Sequence, residues 1–273
     1  MTNKANAPGS TSAAGLRGVF AASSSISDVN GEKGELIYQG YNIHDLAKHS
    51  TFEEVIFLLW NKRLPNSSEL SELEQSLRAS YQVPGELIAL MKQFPHEADP
   101  IDVLRTAISA LEFYDSNARD LSRESSVKTA IRLTAQFPTI VAASDRIRRG
   151  LEPIPPDGSL NIAANFLHML KAEKPSERDA HIFDICLVLH ADHELNASTF
   201  TARVVAGTLA DMYAAVTAAI GALSGPLHGG ANTNVMKMLL EIGEVENVEP
   251  YIKKALAEKR KIMGFGHAVY KTE

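Results

Sequence analysis

Gly221–Asn232 reads GALSGPLHGGAN, and it follows an Ala-rich apolar run and precedes a second amphipathic segment. Such a stretch is expected to be a helix, a tight polar turn and another helix. Gly225 and Pro226 are placed to end the first helix, because proline has no amide to donate and glycine accepts the positive φ of a helix end. Gly229 and Gly230 let backbone come close to whatever lies beside His228. An imidazole is thereby held on a bend between packed helices, where a reacting group can be both fixed and reachable. A surface turn that happens to carry a histidine would look the same in isolation, so the neighbouring sequence has to decide between them.

Working outward, helical patterns dominate. Upstream, polar His190–Asn196 (HADHELN) is wedged between two apolar runs. Asn196 or Ser198 is expected to cap a helix running to Leu223, along which Ala206, Gly207, Ala210, Ala214, Ala215 and Ala218 recur at helical spacing. Small residues allow close helix approach, in a core or at a subunit interface. Further upstream are expected helices at Ser159–Leu170 and Ser176–Leu189, the second with Ser176 and Asp179 set as a capping box. A long helix from Ser122 to about Gly150 is expected to bend at Pro138. Asp99-Pro100 starts another, as cap and first helical residue. Thr51 with Glu54 forms a capping box, Ser67 or Ser68 begins a helix, and Pro84–Lys92 is a short one. Downstream, Thr233–Ile242 and Glu249–Lys261 complete the set. Ile26–Val29 and Glu35–Tyr38, separated by Asn30-Gly31, form a hairpin, the one clear strand signal. The expected class is all-α, mainly helical with one short N-terminal β-hairpin.

The 273 residues are enough for one large core or two domains, and 45% hydrophobic with 22% charged residues is an ordinary globular composition. A formal charge of −6 gives no reason to expect nucleic acid or an anionic membrane as partner. Met1–Gly15 is small and polar, with neither the apolar centre of a secretory signal nor an Arg-rich organelle pattern, and is expected to be disordered. Val204–Leu223 comes nearest to a membrane span, but Asp211 interrupts it. The single cysteine, Cys186, cannot form an intrachain disulfide and is expected to pack as a small hydrophobe. A cytoplasmic location fits these features.

His193, His228 and His267 each sit at a helix junction flanked by Gly or Asp. An unperturbed imidazole titrates near neutral pH, so such groups suit proton donation and acceptance. A metal site at His190, Asp192, His193 and Glu194 has suitable donor types but lacks HExxH spacing, and no metal is expected. Gly264-Phe265-Gly266 begins like a dinucleotide loop, but the third glycine is absent and no βαβ unit surrounds it. No GxSxG elbow is present.

His190–Phe200 (HADHELNASTF), Gly225–Asn232 (GPLHGGAN) and Gly264–Lys271 (GFGHAVYK) together resemble, in order and spacing, the three histidine motifs of the citrate synthase family. Tyr38–Ala47 and Asp99–Leu111 are similar to two further segments of that family. The resemblance implies condensation of oxaloacetate with acetyl-CoA, followed by hydrolysis of citryl-CoA to citrate and CoA in the tricarboxylic acid cycle. It also implies an acyltransferase that converts the acyl group to alkyl on transfer. On that resemblance His228 matches the donor to the thioester carbonyl, and His267 the group that polarises the oxaloacetate ketone and protonates its alkoxide. His193 matches an oxaloacetate ligand, and Gly264, Phe265 and Gly266 match the loop lying against the CoA adenine. Acetyl-CoA is a co-substrate and no cofactor is expected to be tightly bound.

The resemblance further implies a large helical domain at residues 16–226 and the start of a small domain at residues 227–273, in a homodimer or larger homo-oligomer. The family pattern continues beyond Glu273 into an Asp-Pro-Arg, a catalytic aspartate and further substrate-binding arginines. A C-terminally truncated chain ending at Glu273 is therefore expected to be inactive alone. Two alternatives remain at this stage: a 2-methylcitrate synthase using propionyl-CoA, and a non-catalytic helical assembly module.

Overall fold

A computed structural model describes residues 22–225, 228–265 and 271, with only the backbone of residues 231 and 232. Three short strands, β1 (Ser27–Asn30), β2 (Glu35–Tyr38) and β3 (Tyr41–Asn42), form an antiparallel sheet in sequence order. The helices that follow are α1 (Ile43–His49), α2 (Phe52–Asn61), α3 (Ser67–Ala79), α4 (Gly85–Met91), α5 (Pro100–Leu111) and α6 (Arg123–Arg148). Then come α7 (Ile162–Lys171), α8 (Glu177–Leu189), α9 (Ala197–Ala206), α10 (Met212–Leu223), α11 (Ala231–Ile242) and α12 (Val248–Ala257). The class is all-α, as the periodicity indicated, with β3 and α1 beyond what the pattern had suggested. The hairpin pairs Ser27 with Tyr38 and Asn30 with Glu35, so its turn spans residues 31–34 rather than a two-residue Asn-Gly.

The helix starts follow their side-chain chemistry. Thr51 accepts from the Glu54 amide while Glu54 returns a bond to the Thr51 amide, the reciprocal pair that satisfies two end donors. Asn66 and Glu69 do the same for α3, which begins at Ser67. Asp99 caps α5 with Pro100 as its first residue. Ser176 accepts the Asp179 amide to cap α8. Two buried carboxylates serve neighbouring helices: Glu53 Oε1 accepts the Ile162 amide at the start of α7 (3.0 Å), and Asp184 Oδ1 accepts the Phe52 amide at the start of α2 (3.2 Å). Burial pushes both carboxyl groups above the usual carboxylate range, against the lowering effect of those amides.

Helix α6 runs unbroken through Pro138. Its Leu133, Ile140 and Ala143 join Ala107, Ile108 and Leu111 of α5 and Tyr213 and Ile220 of α10 in one core. A polar knot lies at its edge. Asp115 pairs with Arg132 and accepts from the Tyr213 hydroxyl (2.9 Å). Burial opposes the Asp115 charge, but Arg132, the Asn117 amide and Tyr213 outweigh it and hold the carboxyl below its ordinary range. Burial pushes the Tyr213 phenol up to about 12.

Three expectations are corrected. The segment from Asn196 to Leu223 is two helices, because Leu209 adopts a left-handed φ of 66° and Asp211 caps α10 by accepting the Ala214 amide (2.9 Å). Among the described residues, no helix is long and apolar enough to cross a membrane. Helix α12 ends at Ala257 rather than Lys261, closed by Lys259 at φ 54° and by the Arg260 amide on Ala255 O (2.8 Å). Cys186 lies on the solvent face of α8, not in the core.

Candidate functional site

The first motif is the loop between α8 and α9. Asn196 caps α9 by accepting the Thr199 amide (3.0 Å), which leaves Ser198 in the first turn free of capping duty. Ser198 Oγ lies 2.7 Å from Asn196 Oδ1 and 3.0 Å from Nε2 of His228. That second contact joins the first motif to the second. Helix α9 packs along α10, whose end feeds the turn carrying His228, so the return of the chain to α9 is short.

The turn after α10 is tightly wound. The His228 amide donates to Gly225 O (3.0 Å) and the Gly229 amide to Leu223 O (3.0 Å). A Cβ on residue 229 would stand 2.2 Å from that same carbonyl oxygen, well inside contact distance. Glycine is demanded here by close approach to the end of α10. Pro226 and Leu227 lie outside the described residues.

His193 is the middle residue of a span fixed on both sides by the hairpin. The Tyr38 hydroxyl donates to Asp192 O (2.8 Å) and accepts from the Asp192 amide (3.2 Å). Ser27 Oγ donates to the Asp192 carboxylate and accepts the Glu194 amide (3.1 Å). Glu194 Oε1 accepts the Val29 amide (3.2 Å), with Glu194 itself in the left-handed region at φ 59°. The acidic groups Asp192 and Glu194 are thus engaged with the hairpin. His190 Nδ1 sits 2.7 Å from Cys186 O, a local contact within its own helix end.

Of the third motif, Gly264, Phe265 and Lys271 are described, and Gly266 and His267 lie outside the described residues. Gly264 has φ +84°, and a Cβ there would meet Val235 of α11 at 3.3 Å. Phe265 is 78% exposed. The Lys271 amide donates to Gly31 O (2.8 Å) and its Nζ to Glu32 Oε1 (2.9 Å), so the end of this motif meets the hairpin turn. The structure therefore joins His193 and Lys271 to one hairpin and His228 to α9. Ser198, Tyr38 and Ser27 were not among the site residues that the sequence suggested, Ser198 having been named only as an alternative helix cap. For Ser198 there was a signal, a hydroxyl one turn from a stronger cap. For Tyr38 and Ser27 there was none, since their partners lie more than 150 residues away.

The model of the citrate synthase C-terminal domain family matches residues 15–273. The chain belongs to the citrate synthase family. It is 54% identical over 262 residues to citrate synthase 2 of Bacillus subtilis, covering 96% of this chain and 70% of that one. It is 46% identical over 257 residues to the 2-methylcitrate synthase of Mycobacterium tuberculosis, covering 94% of this chain and 65% of the relative. A solved structure of the Thermoplasma acidophilum citrate synthase, in a ternary complex with carboxymethyl coenzyme A and oxaloacetate, superposes with TM-score 0.87 at 30% identity. That match covers 94% of this chain and 68% of the other.

Proposed function

We propose that the chain carries the oxaloacetate- and acyl-CoA-binding groups of a citrate synthase, with acetyl-CoA as the acyl donor. The observation that carries this reading is the Ser198–His228 contact (3.0 Å), which sets the second histidine motif against the first. An acetyl thioester is a weak carbon acid. Its methyl proton leaves only if the carbonyl oxygen, which gains charge, faces a donor already in place. With Nε2 held by Ser198, the Nδ1 edge of His228 is the one that meets the thioester oxygen. That role requires Nδ1 to carry a proton; Ser198 donates to Asn196 Oδ1 and is left to accept from Nε2.

His267 then supplies the proton for the alkoxide formed when the enol carbon bonds to the oxaloacetate ketone carbon. His193 binds oxaloacetate. Gly264, Phe265 and Gly266 meet the CoA adenine, in keeping with the open face of Phe265. The base that takes the methyl proton is assigned to no residue of this chain. The Ala-rich α10, with Ala214 only half-buried, supports a homodimer built on this helix.

A second reading has its own support. Similarity to a 2-methylcitrate synthase at 46% identity favours propionyl-CoA as an alternative acyl donor. Calorimetric titration with acetyl-CoA and propionyl-CoA, each at saturating oxaloacetate, separates the two. Tighter binding of acetyl-CoA is expected, and a preference for propionyl-CoA transfers the assignment. Failure of both thioesters and of oxaloacetate to bind would refute the proposal.

A further inference from the structure

We propose that the β1–β2 hairpin is the positioning element for His193, with the Tyr38 hydroxyl as its principal group. The inference rests on the reading of His193 as a substrate ligand, but its geometry stands apart from that reading. Tyr38 is fully buried, in a cluster with Leu36, Leu46, Val55, Leu58 and Val188, so its ring has a fixed place. Its hydroxyl reaches across 154 residues to take both the carbonyl (2.8 Å) and the amide (3.2 Å) of Asp192.

One hydroxyl can give one proton and accept another, and its shortest contacts here are to the residue immediately before His193, with the Val188 and Leu189 carbonyls at the end of α8 farther off at 3.3 and 3.5 Å. The residue immediately after it, Glu194, is held by Ser27 Oγ at its amide and by the Val29 amide at its carboxylate. A residue pinned on both neighbours has few backbone states left, and this is how a loop imidazole acquires a defined direction. Packing of the hairpin explains only the Tyr38 ring. It does not call for a hydroxyl aimed at the loop, since a phenylalanine would fill the same volume.

The hairpin turn gives a second reason. Lys271, at the end of the third motif, is bonded to Gly31 O and Glu32. One small sheet thus touches the segments that carry the first and third motifs, and a shift of the hairpin against the helices would move both.

Tyr38→Phe in the 273-residue chain tests the inference, with Tyr81→Phe as comparator. Tyr81 is likewise buried and donates to a backbone carbonyl outside the loop, Leu160 O (3.2 Å). Tyr38→Phe removes bonds to both the carbonyl and the amide of Asp192 and Tyr81→Phe removes one, so the stability of each variant is measured and the comparison rests on changes confined to the loop. The readouts are the imidazole resonances of His193, hydrogen exchange at the Asp192 and Glu194 amides, and oxaloacetate affinity.

Tyr38→Phe is expected to speed exchange at Asp192 and Glu194 by about tenfold. It should also displace the His193 resonances and weaken oxaloacetate binding severalfold, while Tyr81→Phe changes none of the three. Unaltered His193 resonances and amide exchange in Tyr38→Phe would overturn the proposal, as would equal changes in Tyr81→Phe. If the parent chain binds no oxaloacetate yet Tyr38→Phe still moves His193, the positioning role is supported and the substrate role of His193 is refuted.

Discussion

Replacing Gly229 by alanine probes the turn that presents His228. The added Cβ would stand 2.2 Å from Leu223 O, a backbone atom with no soft torsion to move it away. Ordinary contact needs about 1 Å more, and the nearby Leu223 Cδ1 at 2.9 Å blocks an alternative direction. The turn must therefore open. Opening it gives up the Gly229–Leu223 and His228–Gly225 backbone bonds and the His228–Ser198 contact. Each is worth on the order of 1 kcal/mol net, which sets a ceiling of about 3 kcal/mol for a strain that can be relieved by local opening. The expected loss is about 1–3 kcal/mol in urea unfolding followed by fluorescence of Trp60, with faster exchange confined to residues 223–230. Gly85→Ala is the control, because a Cβ there meets nothing within 4 Å. It should be neutral or stabilising by up to about 1 kcal/mol. A Gly229→Ala variant as stable as Gly85→Ala, with unchanged exchange at the turn, would refute the steric reasoning.

Three further outcomes are expected. Asp115→Asn should cost about 2–3 kcal/mol at neutral pH by leaving Arg132 without its buried carboxylate, discounted for the partial exposure of Arg132. Because the folded-state Asp115 pKa is depressed, its stabilisation is present above the unfolded value near 3.9 and lost as pH falls through the lower folded value. Urea midpoints of parent and variant should therefore converge in acid; a gap that persists at pH 2 would contradict the pairing. Glu53→Gln keeps an acceptor for the Ile162 amide and removes a buried charge. The folded Glu53 pKa is raised, so ionisation penalises the parent increasingly as pH rises through it, and the variant should gain thermal stability at pH 8 but not at pH 4. An equal difference at the two pH values would exclude charge burial as the cause. Ser198→Ala should release His228 Nε2 and shift its imidazole nitrogen resonances while leaving helix content intact, since Asn196 still caps α9. Unmoved resonances would remove Ser198 from the site.

Much of the helical scaffold was legible because its signals are local. Thr51 and Glu54 lie three residues apart and satisfy each other's amides, so their spacing alone identified the start of α2. The break between α9 and α10 was not legible. Thr208–Asp211 (TLAD) contains neither glycine nor proline, and Asp211 resembles an intruding charge until its bond to the Ala214 amide marks it as a cap. Cys186 was misplaced because the run IFDICLVL is apolar on nearly every side, and periodicity cannot say which face meets solvent.

His193 and His228 were singled out from their motifs. What orients them was not, because the bonds from Tyr38 and Ser198 join segments far apart in sequence, and no local pattern encodes such a pairing. Only packing of the hairpin on α8, and of α9 on α10, brings those hydroxyls to the loops that carry the histidines.

The central claim is that His193, His228 and His267 line one active site, in which oxaloacetate bound at His193 and His267 lies beside His228. Titrating the chain, labelled with nitrogen-15 in its histidine rings, with oxaloacetate tests it most directly. The resonances of these three histidines are expected to move together along one binding curve, while those of His96 and His181, which belong to no motif, stay in place. Independent curves for the three, or equal movement of all the histidines, would contradict it.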